Sequence, residues 1–459
     1  MEKAFYIQLV SYGPFLKQER INYKEDEKTL SVGKIGAGCG YAIFVSCRTL
    51  DTPELLKKII PILKLTKCPF RIIKNQSLQY RLNDGSFGED EAGKVVSIFP
   101  LTISEAQSLV QLTVEISESY KGQIIQNAHR VGKNVFIQAV SGPSDSLKLS
   151  QPDLKGFPFA IPKKFLAKKK KHGLVGNFYL PVALIRSSTK GNIYKAINLK
   201  WLSFDWCLVK QGNPGALDDH FDRDMRDRLL WQKEVILQIQ SEVYTPQVLD
   251  YFERNESSYL VMAYAEGESF GHVVRDALNG QQWKLLNQET QVRLMGFYLK
   301  IIKLIESVHR KNFVHRDITD SNFVIMEDES LCIIDFELSY SLKENRPSPP
   351  FLLGTYGYAA PEQLQYAIPD IKEDIYSLGA LLSFTISGCP PHEFLNTNYS
   401  NLKAKLQRLS GSSAISSLIL NCLKEKRQER PELGEIKNVV RDYLETIKPK
   451  HYEKVPMAV

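Results

Sequence analysis

The most constraining feature of this sequence is a pair of acidic strings separated by a short interval. The first is HRDITDSN at residues 315–322, and the second is IDFELS at residues 334–339. One Asp can orient a substrate hydroxyl, while an amide and a second Asp offer hard oxygens to a magnesium ion. The pattern therefore predicts phosphoryl transfer, with Asp317 as the catalytic residue and with Asn322 and Asp335 as the metal ligands.

Residues further upstream complete this chemistry. Lys210, in the strand-like WCLVKQ, is expected to contact the α and β phosphates of a nucleotide. Glu234, in the helical LLWQKEVILQIQ, is the predicted ion-pair partner that aims this lysine. Each residue alone is more often a surface charge, but the order of the whole set reverses that expectation. The implied cofactors are ATP, with GTP as an alternative, and Mg²⁺.

The ordered set continues into GTYGYAAPEQ, DIYSLG and RQERPE, and residues 175–448 resemble the protein-kinase superfamily. The resemblance implies a bilobal fold in which Thr355 contacts Asp317 and helps to define a site for serine or threonine. It also implies an adenine-binding backbone segment, a buried ion pair and an anchor for the catalytic loop. These residues are Met262, Ala263, Tyr264 and Ala265 for adenine, Glu362 and Arg430 for the ion pair, and Asp374 for the anchor.

Three positions depart from the usual kinase pattern. The stretch SSTKGNIYKA offers one glycine, Gly191, to cover the phosphates, where many kinases have three. Thr319 stands where Ser/Thr kinases commonly place a lysine. Glu337 stands where most kinases have glycine, and because its Cβ restricts the backbone, we expect this segment to favour one arrangement.

A closer resemblance explains the Asp-Phe-Glu string. IDFELS, GTYGYAAPEQ and KEDIYSLGALL look most like the kinase domains of class III and class IV lanthipeptide synthetases, in which Asp-Phe-Glu is common. In that family the kinase phosphorylates Ser and Thr of a ribosomally made precursor peptide. A preceding lyase domain eliminates the phosphate, and a cyclase domain then adds cysteine thiols. The region before the kinase also resembles that lyase, through YAIFVS, PFRIIK, GKVVSIFP and GQIIQNAHR.

The lyase resemblance lacks the groups that elimination requires. Removing a phosphate needs a base for the α proton, an acid for the leaving group and cations around the phosphate. A shift of one or two residues in the alignment would bring His129 and Arg130 into use, and Lys94 with Arg71 are candidates for a remnant phosphate site. The family's basic, acidic and histidine positions are occupied here by Ala42, Phe44, Arg71, Asn127, Ala128 and Gln138.

The sequence thus predicts an α+β chain in which an N-terminal lyase-like α+β domain precedes a bilobal kinase. We expect the lyase-like domain to be inactive and to bind the peptide or a partner, while separate proteins supply the lyase and cyclase steps. Two helices are expected in this domain, one beginning at Thr52–Pro53 and one at Ser104–Glu105. The predicted segments are 1–160 (lyase-like), 161–174 (basic linker), 175–265 (kinase N-lobe), 266–450 (kinase C-lobe) and 451–459 (tail).

Composition excludes several other classes. The net charge is +7, but Lys and Arg are spread along the chain, so no nucleic-acid partner is expected. The apolar runs are shorter than the roughly 20 residues that span a bilayer, and no signal peptide is visible, which predicts a cytoplasmic protein without a membrane partner. Seven cysteines without a CxxC pair indicate reduced core thiols, with a zinc site as the alternative.

Two rival functions stay open at this point. The first is a regulatory Ser/Thr kinase acting on folded proteins, with an N-terminal sensor domain. Arg316 and the hydroxyls of Ser339, Tyr340, Ser341 and Ser348 would suit control of that kinase by phosphorylation. The second is a pseudokinase scaffold that binds nucleotide or peptide without transferring phosphate.

Overall fold

The computed structural model describes residues 10–142, 147–163, 165, 173–352, 354–365, 367–395 and 399–448. The helices are α1 (Gly13–Gln18), α2 (Thr52–Thr66), α3 (Gln76–Asn83), α4 (Ile103–Ser117), α5 (Met225–Ile239), α6 (Phe270–Leu278), α7 (Gln288–Arg310), α8 (Ile371–Ser387), α9 (His392–Leu395), α10 (Tyr399–Ser410), α11 (Ser413–Cys422) and α12 (Leu433–Ile447). The strands before the kinase region are β1 (Lys24–Glu25), β2 (Thr29–Val32), β3 (Tyr41–Val45), β4 (Phe70–Ile73), β5 (Val96–Ile98), β6 (His129–Arg130), β7 (Val135–Ser141) and β8 (Lys148–Ser150). The later strands are β9 (Tyr179–Arg186), β10 (Ile193–Asn198), β11 (Trp206–Gly212), β12 (Val248–Arg254), β13 (Ser257–Ala263), β14 (Gly267–Ser269), β15 (Phe313–Val314), β16 (Phe323–Met326), β17 (Leu331–Ile333) and β18 (Tyr340–Ser341).

Contacts within the chain define two compact units. The first contains residues 7–230 and 249–262, and the second contains residues 231–248 and those from 263 onward. The lyase-like domain and the kinase-type strands β9–β11 therefore belong to one unit. The predicted segment boundaries stay predictions, and most of the basic run of the predicted linker, with all of the predicted tail, lies outside the described residues.

An antiparallel sheet forms the centre of the lyase-like domain. Its strand order is β1-β2-β4-β5-β3-β7-β6, and β8 pairs with the outer part of β7. Because side chains alternate along a strand, each strand presents one residue set to each face. The first face packs into the main core of the domain through Ile43, Val45, Phe70, Ile72, Val96, Ile98, Val135 and Ile137. The second face carries Ala42, Phe44, Phe136 and Val140.

Helix α2 follows the prediction from its sequence. It begins at Thr52 with Pro53 in its first turn, where the missing N–H of proline costs nothing. The apolar residues predicted to lie on one face are all buried. These are Leu55, Leu56, Ile59, Ile60 and Leu63.

Helix α4 differs from its prediction in detail. The N-cap is Thr102, whose hydroxyl accepts a hydrogen bond from Glu105 N at 3.2 Å, while Glu105 Oε2 accepts one from Leu101 N at 2.7 Å. Such a reciprocal pair of cap hydrogen bonds starts the helix at Ile103, one residue before the predicted Ser104. The buried stripe runs through Ala106, Leu109, Thr113 and Ser117, and Leu112 is exposed.

The kinase-type region contains a sheet and a set of helices. The sheet has the order β12-β13-β11-β10-β9, and β10 pairs antiparallel with both β9 and β11. The second unit contains the long helix α7, capped by the Asn287 side chain, and helix α8, whose residues from Glu373 to Ile386 are all buried. The mixed α+β class, with an N-terminal α+β region, a kinase sheet lobe and a kinase helical lobe, is confirmed.

Candidate active site

Asp317 lies at the centre of a small hydrogen-bonded group in the second unit. Asn322 Nδ2 donates to Asp317 Oδ2 at 2.9 Å and to its carbonyl oxygen at 2.8 Å. Thr355 Oγ1 donates to Asp317 Oδ1 at 2.9 Å. The carboxylate thus has a partner on each oxygen and a fixed orientation, which a group that must meet a substrate hydroxyl requires. The predicted Thr355–Asp317 contact is present.

The backbone beside Asp317 is anchored by a buried carboxylate at the start of α8. Asp374 Oδ2 accepts a hydrogen bond from His315 N, and Oδ1 accepts one from Arg316 N, both at 2.8 Å. His309 Nε2 lies 2.8 Å from Asp374 Oδ2. Burial alone would raise the pKa of Asp374, but these hydrogen bonds and nearby histidines hold it below its usual value. Asp374 therefore fixes the catalytic loop as predicted.

Arg316 is fully buried, and its partners are internal. Its Nε donates to Glu373 Oε2 at 2.8 Å, and neither side chain is exposed. Its Nη1 donates to the carbonyl oxygens of Leu338 and Phe351, at 3.2 and 2.9 Å. Burial raises the pKa of Glu373, while Arg316 opposes that rise. The guanidinium thus joins both ends of the segment after Asp335 to helix α8.

A backbone hydrogen bond links the segments that carry the two predicted metal ligands, Asn322 and Asp335. Ile334 N donates to the Asn322 carbonyl oxygen at 3.1 Å, so Asp335, the next residue, follows directly on this link. Since Asn322 Nδ2 donates to Asp317, Oδ1 is the atom of this amide that could act as a metal ligand. Asp335 Oδ1 accepts a hydrogen bond from Glu337 N at 3.2 Å. An amide oxygen and a carboxylate are the donors that magnesium takes in kinases, so these residues fit that ion.

Three of the predicted nucleotide-binding residues, Lys210, Gly191 and Met262, belong to the first unit. Lys210 is 7% exposed and pairs with Ile193 across the β10–β11 ladder. Gly191 has a φ of +139°, and a Cβ there would lie 2.0 Å from the Gln211 carbonyl oxygen, so this position needs glycine. Met262 is fully buried at the end of β13.

The residues after Met262 give the predicted adenine segment a partly exposed backbone. Ala263, Tyr264 and Ala265 are half-buried. Ala263 N donates to the Gln247 carbonyl oxygen at 2.8 Å, so this N–H is used within the second unit. Binding of adenine by these residues stays a prediction.

On helix α5, the residue that contacts the segment before Asp335 is Gln232, whereas the sequence had predicted a role for Glu234. Gln232 is fully buried, and its Nε2 lies 3.5 Å from the carbonyl oxygen of Ile334, immediately before Asp335. Glu234 is half-buried and pairs with Arg346 at 3.4 Å. The pairing of Glu234 with Lys210 stays a prediction. The signal for Gln232 was present, since it shares the buried helical stripe of Val235, Ile236 and Ile239.

The ion pair implied by the kinase resemblance is present in the second unit. Arg430 Nη1 and Nη2 donate to the two oxygens of Glu362 at 2.5 and 2.9 Å. Arg430 is 3% exposed and also donates to backbone carbonyls of Lys424, Glu425 and Lys372. Such a bidentate pair with further hydrogen bonds satisfies a buried guanidinium.

The lyase-like domain carries a second polar region on the second face of its sheet. Lys94, 6% exposed, is common to two cavities of about 220 and 440 Å³. Its Nζ lies 3.1 Å from Glu91 Oε1 and 4.8 Å from the centre of the Phe44 ring. Burial lowers the pKa of Lys94, although Glu91 opposes this. Arg71 lines the smaller cavity.

The larger cavity is lined by two of the positions that were aligned with the lyase family, Asn127 and Gln138. Gln138, 2% exposed, donates through Nε2 to the carbonyl oxygens of Gln126 and Asn127. Its Oε1 has no hydrogen-bond partner among the described residues. Asn127 Nδ2 donates to Asp90 Oδ1 at 2.7 Å. Within the described part of the chain, the lining of this cavity includes neither histidine nor arginine.

His129 lies on the other face of the sheet. It pairs with Ile137, whose side chain points into the core opposite to the face that carries Gln138. His129 Nε2 lies 2.8 Å from the carbonyl oxygen of Pro152, and its ring packs edge-on against Phe157. Arg130 instead pairs with Phe136 of the second face, and its Nε and Nη2 donate to the Lys133 carbonyl oxygen at 2.9 and 2.5 Å. Neither residue lines the larger cavity.

The remaining expectations concern metal sites and membranes. All seven cysteines are free thiols, and five of them are buried. Across the described residues there is no group of three His, Cys, Asp or Glu side chains placed to hold a metal. The helices described in the structure include none that is long and apolar enough to cross a bilayer.

Two family models match this chain, one in the kinase-type region and one in the lyase-like domain. Residues 222–441 match the protein kinase domain, and residues 23–138 match the N-terminal domain of RamC. The C-terminal region is thus a protein kinase domain. The N-terminal match supports the resemblance to lanthipeptide synthetases, at a level that does not separate classes III and IV.

Curated relatives match in the kinase region. The chain is 25% identical over 225 residues to serine/threonine-protein kinase B of Synechocystis sp., covering 47% of this chain and 38% of that protein. It is 25% identical over 252 residues to serine/threonine-protein kinase Nek10 of Homo sapiens, covering 51% and 20%. It is 28% identical over 195 residues to the Aurora kinase of Saccharomyces cerevisiae, covering 41% and 49%. The chain thus spans less than half the length of these relatives.

Proposed function

We propose that this chain is an ATP- and magnesium-dependent Ser/Thr kinase that phosphorylates a ribosomally made precursor peptide in lanthipeptide-type biosynthesis. The observation that carries the proposal is the Asp317 carboxylate, held between Asn322 and Thr355. The match to the RamC N-terminal domain supports the peptide context.

In this proposal each residue has a defined task. Asp317 accepts or orients the proton of the attacking hydroxyl, and Thr355 keeps one of its oxygens in place. Asn322 and Asp335 hold magnesium, which neutralises charge on the transferred phosphate. Lys210 contacts the α and β phosphates, under a turn that contains Gly191. The backbone of Met262 to Ala265 holds the adenine.

The lyase-like domain is assigned to binding rather than to elimination. Lys94 supplies a single amine, which is paired with Glu91, whereas elimination needs a base, an acid for the leaving group and cations around the phosphate. Phe44 and Gln138 stand where the resemblance places a histidine and an arginine, and His129 faces the opposite side of the sheet. The domain would bind a polar or phosphorylated peptide, and separate lyase and cyclase proteins would complete the pathway.

The test is a reconstitution with purified protein. The protein is incubated with ATP, magnesium and a precursor peptide rich in Ser, Thr and Cys, and the products are analysed by mass spectrometry. We expect peptides carrying phosphate in the wild type and none in Asp317→Asn. A dehydrated peptide would contradict the binding role of the lyase-like domain, and the absence of phosphate incorporation would favour a pseudokinase scaffold.

A regulatory kinase acting on folded proteins is the second candidate, because the curated relatives are serine/threonine-protein kinases. Control by phosphorylation of Ser339, Ser341 or Ser348 would need a cation to receive the new phosphate. Arg316 already has the buried Glu373 as its partner. Comparing phosphate incorporation into the precursor peptide and into folded proteins separates the two functions.

A further inference from the structure

The turn between β9 and β10, residues 187–192, has three buried residues, Ser188, Thr189 and Gly191, although its counterpart in kinases contacts the nucleotide. If Gly191 is the third glycine of the G-x-G-x-x-G pattern, Thr189 and Lys190 occupy the tip of the loop. In protein kinases this loop covers the phosphates. Here Ser188 is 6% exposed and Thr189 is 3% exposed. The tip is therefore docked against another part of the first unit.

The docking partner is the connection between α3 and β5 in the lyase-like domain. Glu89 Oε2 accepts a hydrogen bond from Thr189 N at 2.6 Å. Gly85 has a φ of +85°, and a Cβ added there would lie 3.6 Å from Thr189 Oγ1 and 3.3 Å from Glu89 Oε1. On its other side, the Thr189 carbonyl oxygen accepts a hydrogen bond from Asn213 Nδ2 at 3.1 Å. A carboxylate thus occupies the backbone N–H at the tip.

A second, deeper contact holds the same two regions together. Asp218, in the connection between β11 and α5, is 5% exposed. It accepts hydrogen bonds from Thr49 N at 2.6 Å and from Asn83 Nδ2 at 2.9 Å. Glu89, by contrast, is exposed. The buried Asp218 contact can keep the domains attached while the Glu89 contact is exchanged for another anion.

We propose that Glu89 is a positioning residue of the kinase, which competes with nucleotide phosphate for the Thr189 N–H and thereby lowers nucleotide affinity. The inference rests on the proposed kinase function, because it assigns the β9–β10 turn to the phosphates. One N–H donor cannot serve a carboxylate and a phosphate at full strength, and two anions at one donor repel each other. Nucleotide binding therefore requires the tip to leave Glu89.

The same connection also lines the cavities around Lys94. Phe87 lines the smaller cavity, Asp90 the larger one, and Glu91 both. Glu89 lies between Phe87 and Asp90 in the chain, so an occupant of these cavities contacts the segment that carries it. A peptide bound there would act on the tip through this segment.

The experiment measures the dissociation constant of magnesium-ATP for the full chain, together with kcat and KM. For Glu89→Ala we expect the dissociation constant and KM to fall about fivefold, the equivalent of ~1 kcal/mol for an exposed charged contact. Glu89→Gln keeps an acceptor but loses the charge, and it should give an intermediate value. The control is Glu115→Ala, an exposed glutamate on α4, which should bind ATP as the wild type does.

Three outcomes would contradict the proposal in different ways. If the wild type bound ATP and Glu89→Ala bound it equally or more weakly, Glu89 would not compete with the nucleotide phosphate. The proposed kinase function would be unaffected by that result. If neither the wild type nor Glu89→Ala bound ATP, although thermal denaturation showed that both are folded, the proposed function would be overturned as well. A rise in KM with constant kcat would show that Glu89 instead supports the turn.

Discussion

The catalytic loop of the kinase and the second sheet face of the lyase-like domain differ in how their polar atoms are satisfied. Around Asp317, each carboxylate oxygen has a donor, and the neighbouring backbone is tied to Asp374. On the sheet face, Lys94 has Glu91 and an aromatic ring, while Gln138 Oε1 has no partner among the described residues.

The difference concerns preorganisation. Catalysis uses groups that are already oriented toward the place where charge or a proton will appear. The kinase loop meets this condition. On the sheet face, the one buried amine is already paired with Glu91, and its other neighbour, Phe44, can neither donate nor accept a proton. A binding role needs a shaped polar cavity but no proton relay. The two regions thus suit catalysis and recognition, respectively.

The largest effect is expected from the kinase loop. Asp317→Asn keeps the side-chain volume but removes the charge that accepts the hydroxyl proton, so peptide phosphorylation should fall by about a hundredfold to ten-thousandfold. Radioactive phosphate incorporation measures this loss. The control is Asp276→Asn, an exposed carboxylate on α6, which should keep full activity. Unchanged incorporation in Asp317→Asn would remove the catalytic role of this residue.

A smaller and different effect is expected on the sheet face. Lys94→Met preserves an apolar stem but removes the buried cation, so binding of a phosphopeptide should weaken about tenfold, the scale of one charged hydrogen bond. Phosphorylation of a short peptide that does not reach this cavity should stay unchanged. Fluorescence anisotropy measures the binding.

Lys57→Met provides the control for this comparison. Lys57 lies on α2, which packs against the first face of the sheet, and it is exposed. It should not alter phosphopeptide binding. If Lys94→Met instead abolished phosphorylation while binding stayed normal, the division between catalysis and recognition would be wrong.

The kinase region was predictable because its residues stand at fixed intervals in a pattern that serves one chemistry. The contacts of Asp317 with Thr355, and of Asp374 with the loop backbone, follow the expectations from that pattern. The buried Arg316–Glu373 pair was missed. Glu373 directly precedes Asp374 in the chain, and no local sequence signal shows that its carboxylate is buried. The α+β class of the N-terminal region followed from its strand and helix patterns, whereas the bilobal fold was implied by the resemblance to protein kinases.

The lyase-like domain shows what sequence periodicity leaves undetermined. Ala42 and Phe44 lie on the second face of the sheet, where Ala42 pairs with Gln138 across β3 and β7. The contact of Glu89 with Thr189 joins residues one hundred positions apart in irregular segments, where no periodicity operates. The start of α4 was placed too late because Thr102, rather than Ser104, forms the capping box.

Helix α5 offers a finer test within the kinase region. Gln232→Ala removes the contact with the Ile334 carbonyl beside Asp335, so kcat should fall about fivefold, within the range of one hydrogen bond. Glu234→Gln breaks only the partly exposed pair with Arg346, and should change kcat by less than about twofold. The control is Gln238→Ala, on the exposed side of the helix. A larger loss in Glu234→Gln would establish the ion-pair role that the sequence assigned to that residue.

The smallest effect on activity is expected from a substitution of Glu337, the last residue of the Asp-Phe-Glu string. Glu337 does not have a positive φ, so its backbone does not require glycine. Glu337→Gly keeps the N–H that donates to Asp335 Oδ1, and we expect activity to change by less than about twofold, with a loss of roughly 0.5–1 kcal/mol in the free energy of unfolding from added backbone entropy. Asp335→Asn should abolish phosphate incorporation, because it removes a metal ligand. Equal losses in both variants would show that Glu337 contacts the metal or the substrate directly, and the kinase centre would then extend beyond the residues shared with other kinases.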